Sequence, residues 1–477
     1  MSLAAKLSTD VLVTTLVKIS LKLRGIVVIP LVTIYLGTAA YGAYAQVFAV
    51  ATLLGQVTLL GLDTGIVQFF QQYGEDRSVT YWTLASALLL TGTGSMLVVA
   101  AAAPLLATYT LGDRAFATTF LVGSALVPLT VWLRFGQGYL RATRRIKYYS
   151  LSDVAVVYGH IAAVAGTVLL TDFGIAGVLA VVVATRAVAV GGIHLAIVRE
   201  VGVASPSLER FRYFLGYSVP TMGTDVARST LTQADRLLVG AVLGATAVGV
   251  YSVAYQVAQG MLLYVRPLSI TLFPEFSRLW AEERPRVRDL TITALRYFIA
   301  LAVPTIGGLW LIGESILNLL TTPDVAAEAA PLLVLLAIGI LLQGVSEIYT
   351  ELFYAADQTS VPLRIQGVAA IVNVALNALL LPTIGIQGAA IATIVTFALA
   401  AGTTAIAFQY WLPVVPPFRS VAAPIAATAI MTAAFWVVAP WWPLTLVLAP
   451  VVYGVAFVAL GGVERGELAG LLHRVGG

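Results

Sequence analysis

The residues best suited to chemistry lie on one apolar stretch, Phe211 to Tyr251. At about 100° per residue, one side of a helix there carries Thr221, Asp225, Arg228, Ser229, Thr232, Asp235 and Arg236. A charge at the centre of a bilayer costs about 2.5 to 3.5 kcal/mol on insertion scales. The polar stripe therefore indicates either ion pairs among Asp225, Arg228 and Asp235 that hold the helix in place, or a site for a substrate or an ion.

Other cations fall inside predicted helices. Lys22 and Arg24 belong to the first helix, and Arg186 belongs to the sixth. Lys18 and Lys22 are close enough to a helix end to reach the membrane surface, and a structural ion pair is the alternative for Arg186. Because a guanidinium binds phosphate through two parallel hydrogen bonds and stays charged, cations in a cavity favour an anionic ligand.

The tenth predicted helix places two carboxylates one turn apart, Glu347 and Glu351. Two neighbouring carboxylates repel each other, so the pair is a candidate proton or sodium site; pairing of one carboxylate with a cavity arginine is the alternative. Tyr251 and Tyr255 share a helix face that suits a sugar, although such tyrosines also serve as interface residues. Asn373 and Asn377 are predicted to hydrogen-bond between helices.

Composition places these residues in a membrane. The 477-residue chain is 59% hydrophobic and 10% charged, with a mean hydropathy of +0.93. It contains no cysteine and three scattered histidines, and it has no nucleotide-binding or metalloprotease motif. The sequence thus predicts a polytopic membrane protein with no cofactor and no nucleic-acid partner, although Na⁺ or H⁺ coupling stays open.

Apolar segments of membrane-spanning length predict an all-α fold with about fourteen transmembrane helices. Their approximate ranges are 11–36, 40–70, 80–108, 115–139, 149–171, 174–198, 211–242, 246–273, 290–319, 328–355, 362–382, 385–411, 419–438 and 443–462. Most loop arginines fall on one side of this topology, whereas Arg114 lies on the other. That bias predicts cytoplasmic N- and C-termini.

The chain contains an internal repeat. Residues 36–44 and 243–251 both read L-G-x-x-A-x-G-x-Y, and the glycine-rich hairpin at 173–184 resembles that at 384–395. The repeat predicts two pseudo-symmetric six-helix lobes, 1–200 and 201–411, followed by two additional helices and a tail, 412–477. Two such lobes are expected to enclose a central cavity.

These repeated junctions carry a family resemblance. With the run QADRLLV at 233–239, the segment YLRATRRIKY at 139–148 and PEFS at 274–277, the chain resembles the Wzx-like polysaccharide transport family of the multidrug/oligosaccharidyl-lipid/polysaccharide (MOP) flippase superfamily. The resemblance implies a flippase that moves a lipid-linked oligosaccharide to the external leaflet by alternating access. It implies that cavity cations, here Arg24, Arg228 and Arg236, meet the carrier phosphate and that interhelical grooves take the polyprenyl tail. Because Asp225 and Asp235 lie on the same stripe, this cavity is not purely cationic as the resemblance would imply.

The sequence therefore predicts a transporter of the cell membrane rather than an enzyme. Its expected partners are a lipid-linked oligosaccharide, membrane lipids and, in one alternative, glycan-assembly proteins. Cation-coupled export of a drug or metabolite by a member of the same superfamily is the nearest competing function. The acidic residues named above are compatible with it. A membrane-embedded glycan polymerase or ligase is the competitor from another class, and it would be favoured by a long external loop at 110–114 or 322–328.

Overall fold

The computed structural model describes residues 24–73, 76–263, 275–414, 418–438 and 441–462. All regular structure within these ranges is helical, which confirms the predicted all-α fold. Helices suit a bilayer because they satisfy their own backbone hydrogen bonds. The candidate residue Lys22, with Lys18, lies outside the described residues.

Chain packing defines two compact units. The first comprises the described residues up to Ser252 together with Ala370–Ala389. Its helices are α1 (Arg24–Leu36), α2 (Thr38–Leu59), α3 (Leu62–Gln72), α4 (Arg77–Ala101), α5 (Ala103–Leu111), α6 (Ala117–Gly123), α7 (Leu126–Ala142), α8 (Ile146–Leu170), α9 (Gly174–Val201) and most of α10 (Leu208–Ala258).

The second unit comprises Val253–Ala369 and the described residues from Ala390 onward. After a short 3₁₀ turn at Gln259–Leu263, its helices are α11 (275–282), α12 (Arg284–Leu320), α13 (Pro323–Ala355), α14 (Ser360–Ile384), α15 (Ile386–Gln409), α16 (Phe418–Val438) and α17 (Trp442–Ala459). Most of α14, from Ala370 onward, and the first residues of α15, up to Ala389, belong to the first unit. The predicted lobe boundaries, 1–200, 201–411 and 412–477, follow the sequence repeat and stay a prediction.

The number of membrane helices agrees with the sequence. Twelve helical stretches of the described chain are long and apolar enough to cross a bilayer. One of them, Asp225–Leu263, contains a break at Gly244, and the shorter apolar helix α1 adds another. Each of the fourteen predicted spans thus has a helical counterpart among the described residues, and the first span, 11–36, is represented only by its final part, Arg24–Leu36.

Two of the predicted spans are interrupted. The span 40–70 breaks where Leu60 and Gly61 adopt left-handed backbone conformations, with φ of 56° and 69°. The span 80–108 breaks at Ala102, and Pro104 lies in the first turn of the helix that follows. Proline cannot donate a backbone hydrogen bond and is tolerated at the start of a helix, so a new helix begins there.

The backbone reproduces the internal repeat. Gly37 and Gly244 occupy the same position of the L-G-x-x-A-x-G-x-Y motif, and their φ angles are 91° and 83°. Gly174 and Gly385, from the second repeated hairpin, have φ of 62° and 66°. Side chains disfavour these angles, so the repeated glycines mark equivalent breaks between helices.

The second glycine of the motif brings two backbones together. A Cβ atom on Gly42 would lie 1.9 Å from the carbonyl oxygen of Ala245, and one on Gly249 would lie 2.3 Å from that of Thr38. Gly42 and Gly249 are equivalent positions of the two repeats. The two repeat segments therefore pack against each other through their glycines, as small residues permit between membrane helices.

We expect Gly42→Ala to destabilise the first unit by about 1 to 3 kcal/mol, because the methyl group forces two backbones apart. Thermal unfolding of the purified protein in detergent micelles measures the effect. Gly94→Ala is the matched control, since a Cβ atom on this helical glycine meets nothing within 4 Å. Equal unfolding temperatures for the two variants would contradict this packing.

The segment that leads into α10 is hydrogen-bonded to α4 and to the residue that precedes α4. The Trp82 indole donates to the carbonyl of Gly202 at 2.9 Å, and Thr83 accepts from the backbone N–H of Ser207 at 2.9 Å. Arg210 forms a salt bridge with Asp76 at 2.5 Å. These bonds fix the chain that enters α10, the helix that carries the polar stripe.

Candidate functional site

A buried hydrogen bond between two helices lies at the centre of the first polar site. The Tyr44 hydroxyl on α2 and Nε2 of His160 on α8 are 2.5 Å apart, and both residues are almost fully buried. Tyr41 stacks near Tyr44 with ring centroids 6.0 Å apart. This arrangement places hydroxyl and imidazole groups inside the first unit.

Arginines surround this hydrogen bond. Arg24 on α1 and Arg186 on α9 lie close enough to act electrostatically on both Tyr44 and His160. Arg186 also donates from Nη1 to Thr130 Oγ1 at 3.3 Å. The two predicted cavity cations are thus brought to one place by helices that are far apart in sequence.

Two further arginines lie at the edge of the same region. Arg134 on α7 acts on Arg186 and donates from Nη1 to Gln56 Oε1 at 2.9 Å. Arg236 on α10 acts on Tyr41, as Arg24 does, and donates from Nη1 to Gln233 Oε1 at 2.6 Å. The arginine cluster is defined by Arg24, Arg134, Arg186 and Arg236 around Tyr41, Tyr44 and His160.

The cluster is suited to an anion. Among the described residues, the charged groups that act most strongly on Arg186 and His160 are themselves arginines. Like charges at close range repel each other, and removing them from water adds a further cost. A phosphate would relieve that repulsion and accept charge-assisted hydrogen bonds from several guanidinium groups.

A second polar site is centred on a carboxylate. Asp235, only 1% exposed, accepts a hydrogen bond from the Tyr251 hydroxyl at 2.9 Å and one from Asn377 Nδ2 at 2.8 Å. Nδ2 of Asn377 also approaches the backbone carbonyl of Asn373 at 2.9 Å. The predicted interhelical hydrogen bonding of Asn377 is confirmed.

The two polar sites are related by the repeat. Tyr44 and Tyr251 are the last residues of the two L-G-x-x-A-x-G-x-Y motifs. Each is buried and hydrogen-bonds to an ionisable side chain, Tyr44 to His160 and Tyr251 to Asp235. The equivalent tyrosines therefore hydrogen-bond to a basic side chain in one case and to an acidic side chain in the other.

The polar stripe of α10 does not form one uniform surface. Asp235 is buried, Asp225 and Arg236 are half-buried, and Arg228 is exposed. Asp235 and Arg236 belong to the two polar sites described above. The predicted ion pairs among Asp225, Arg228 and Asp235 stay predictions, as does the cavity role of Arg228.

The remaining candidate residues belong to the second unit. Tyr255 is 1% exposed, so its ring is enclosed in this structure. Glu347 accepts a hydrogen bond from Gln343 Nε2 at 3.0 Å, and both Glu347 and Glu351 are half-buried on α13. Sugar binding by Tyr251 and Tyr255, and ion coupling by the two glutamates, stay predictions.

Sequence reasoning missed several members of the arginine cluster. His160 is one of three scattered histidines, and Arg134 is not among the candidate residues of the sequence analysis. The conserved spacing within the repeat was the available signal: it already singled out Tyr44 as the counterpart of Tyr251. Only the fold shows that His160 faces Tyr44.

The described chain is thus a polytopic helical membrane protein with a half-buried arginine cluster in its first unit. The sequence profile of a family described as "Polysaccharide biosynthesis protein" matches residues 7–280, which is more than half of the chain. The chain belongs to that family. A second profile, MatE, matches residues 220–379.

Two relatives from Haloferax volcanii are flippases by name. The chain is 23% identical to the probable flippase AglR over 89% of both chains. It is 25% identical to the probable low-salt glycan biosynthesis flippase Agl15 over 195 residues, which span 40% of this chain and 41% of that protein.

The same fold occurs in a solved structure, the lipid II flippase MurJ in an inward closed conformation. The TM-score is 0.79, the sequence identity is 13%, and the match covers 96% of this chain and all of MurJ. At this identity the likeness establishes the fold. It confirms the predicted polytopic helical fold of this chain.

Proposed function

We propose that this protein is a flippase that moves a lipid-linked oligosaccharide from the cytoplasmic to the external leaflet by alternating access of its two lobes. The arginine cluster carries the proposal, because it offers an anionic headgroup a half-buried cationic site. Membership of a polysaccharide biosynthesis family and the flippase names of the relatives support this function.

The physical task is to move sugars past hydrocarbon. A hydroxyl transferred from water to an apolar medium without a hydrogen-bond partner costs several kcal/mol. A hydrated site that binds the carrier phosphate through Arg24, Arg186 and Arg236 removes much of that cost. Arginine is well suited to this role because it stays charged in a low-dielectric site and binds phosphate in a bidentate geometry.

The second unit, taken by itself, contains an apolar surface that suits a hydrocarbon chain. A cavity of about 450 Å³ lies between α12, α16 and α17, lined by Leu301, Met431 and Leu446 among others. Pro304 removes the N–H that would bond to the carbonyl of Ala300. The Tyr453 hydroxyl bonds to this carbonyl instead, at 2.7 Å, which leaves the wall of the cavity apolar.

Coupling to Na⁺ or H⁺ forms part of the proposal. Asp235 adds a buried candidate to the predicted pair Glu347 and Glu351. Asn377 Nδ2 bonds to Asp235 Oδ1 at 2.8 Å and approaches Asn373 Oδ1 at 3.3 Å, and hard cations such as sodium favour carboxylate and amide oxygens as ligands. A buried carboxylate in a membrane protein is also a common proton carrier.

The proposed location is the cell membrane, with both termini in the cytoplasm, and the proposed activity is transport without catalysis. A glycan polymerase or ligase needs a surface that holds its acceptor outside the membrane. The connections that would have favoured such an enzyme are short: α12 ends at Leu320 and α13 begins at Pro323, and Asp113 directly follows the Gly112 that ends α5.

Drug or metabolite export is the second candidate, and the MatE match to residues 220–379 favours it. A strain that lacks the gene separates the two functions. We expect a lipid-linked oligosaccharide to accumulate with its sugars on the cytoplasmic side and drug sensitivity to stay unchanged. Normal surface glycan together with increased drug sensitivity would favour the exporter.

A further inference from the structure

A groove opens on the first unit between α8 and α9, beside the α7–α8 connection. Its volume is about 740 Å³. The groove is lined on α8 by Tyr148, Leu151 and Ala155 and on α9 by Gly192, Ile193 and Ala196. Leu151 and Tyr148 are more than half exposed, so the groove faces the surroundings of the unit rather than its core.

The residues that line the groove suit a hydrocarbon chain. Small side chains at Ala155, Gly192 and Ala196 form its floor, and a Cβ atom on Gly192 would meet nothing within 4 Å. From Ala189 to Ile197 the groove follows α9 for about 12 Å at 1.5 Å per residue. One lipid chain lying along this groove would make dispersion contacts over its whole length.

The mouth of the groove is basic. Arg145 lines it. The exposed residues Arg141, Arg144 and Lys147 lie in the last turn of α7, in the α7–α8 connection and in the first turn of α8. Glu200 accepts two hydrogen bonds from Arg145, at 2.6 and 2.9 Å, which hold that guanidinium at the mouth. The four cations face the carboxylates of Glu200 and of Asp153, which acts with Arg141 on Tyr149, so the net charge at this end of the groove stays positive.

We propose that this groove binds an anionic glycerophospholipid from the leaflet on the basic side of the protein. Its phosphate lies against Arg144, Arg145 and Lys147, and one of its chains lies along α9. Basic pockets between membrane helices recognise lipid headgroups in this way. Because the groove is open to the surrounding bilayer, mass action favours an abundant bilayer lipid over a scarce polyprenyl carrier.

Native mass spectrometry tests the proposal independently of transport. The full-length protein is equilibrated in micelles with equal amounts of dioleoylphosphatidylglycerol and dioleoylphosphatidylcholine. We expect phosphatidylglycerol to be retained preferentially. Replacing both Arg144 and Lys147 with glutamine is expected to lower that preference by about tenfold or more.

Two adjacent glycines provide a matched pair of variants. Gly192 lines the groove and Gly191 does not, while a Cβ atom at either position meets nothing within 4 Å. Gly192→Leu is expected to abolish retention of phosphatidylglycerol, and Gly191→Leu is expected to retain it. Ala196→Leu fills the groove from a position without glycine and is expected to behave like Gly192→Leu.

Three results would overturn the proposal. The first is equal retention of the two phospholipids by the wild-type protein. The second is an equal loss in the Gly191→Leu and Gly192→Leu variants. The third is retention of added polyprenyl phosphate without retention of phosphatidylglycerol, which would assign the groove to the carrier lipid instead.

Discussion

Replacing Arg186 with alanine is expected to lower the affinity for a polyprenyl phosphate by about 30-fold or more, which corresponds to a loss of at least about 2 kcal/mol. The substitution removes one of the guanidinium groups that surround Tyr44 and His160. Binding of a fluorescent polyprenyl phosphate to the purified protein measures the loss. The affinity of Arg186→Lys should fall between those of the wild type and of Arg186→Ala, since lysine keeps the charge and loses bidentate binding.

Stability separates this effect from misfolding. Arg186 lies among Arg24 and Arg134, so its removal relieves repulsion, and the unfolding temperature of Arg186→Ala is expected to equal or exceed that of the wild type. Arg199→Ala is the control on the same helix, because Arg199 is exposed near the end of α9. Equal affinity losses for the two variants would contradict an arginine cluster that binds phosphate.

Replacing Asp235 with alanine is expected to destabilise the protein by about 2 to 5 kcal/mol. The substitution removes the acceptor for the Tyr251 hydroxyl and for Asn377 Nδ2, and each buried polar group that loses its partner costs about 1 to 3 kcal/mol. Thermal unfolding in detergent measures the change. Asp289→Ala, at an exposed position of α12, should leave the unfolding temperature nearly unchanged.

Asp235→Asn tests the charge separately. Asparagine keeps the size and an acceptor oxygen, so a smaller loss of stability is expected. If Asp235 takes part in coupling, this variant also loses the dependence of transport on an imposed Na⁺ or H⁺ gradient. Unchanged gradient dependence in Asp235→Asn would leave coupling to the pair Glu347 and Glu351.

The helices and their repeat could be predicted because they depend on local signals. Membrane-length apolar segments specify helices, and glycines at equivalent places specify the breaks, as the φ angles of Gly37 and Gly244 show. The interruptions at Leu60 and Ala102 were not predicted, because the surrounding sequence stays apolar there. Hydropathy reports burial in lipid and does not resolve a short break within it.

The candidate site could be predicted only in part. Depth in a membrane singled out Arg24, Arg186 and Asp235, because a charge there needs a compensating partner. Their partners depend on the fold: Tyr44 and His160 are 116 residues apart, and Asp235 and Asn377 are 142 residues apart. No local pattern specifies pairings over such distances.

Translocation of a lipid-linked oligosaccharide in liposomes tests the proposed function most directly. Purified protein is reconstituted with the labelled lipid, and an impermeant lectin reports which headgroups are accessible, with Arg186→Ala and Arg199→Ala alongside. We predict exposure of the sugar that depends on the protein, that is lost in Arg186→Ala and that persists in Arg199→Ala. No exposure by the wild type with mono- and diphosphate carriers and imposed ion gradients would contradict the flippase proposal.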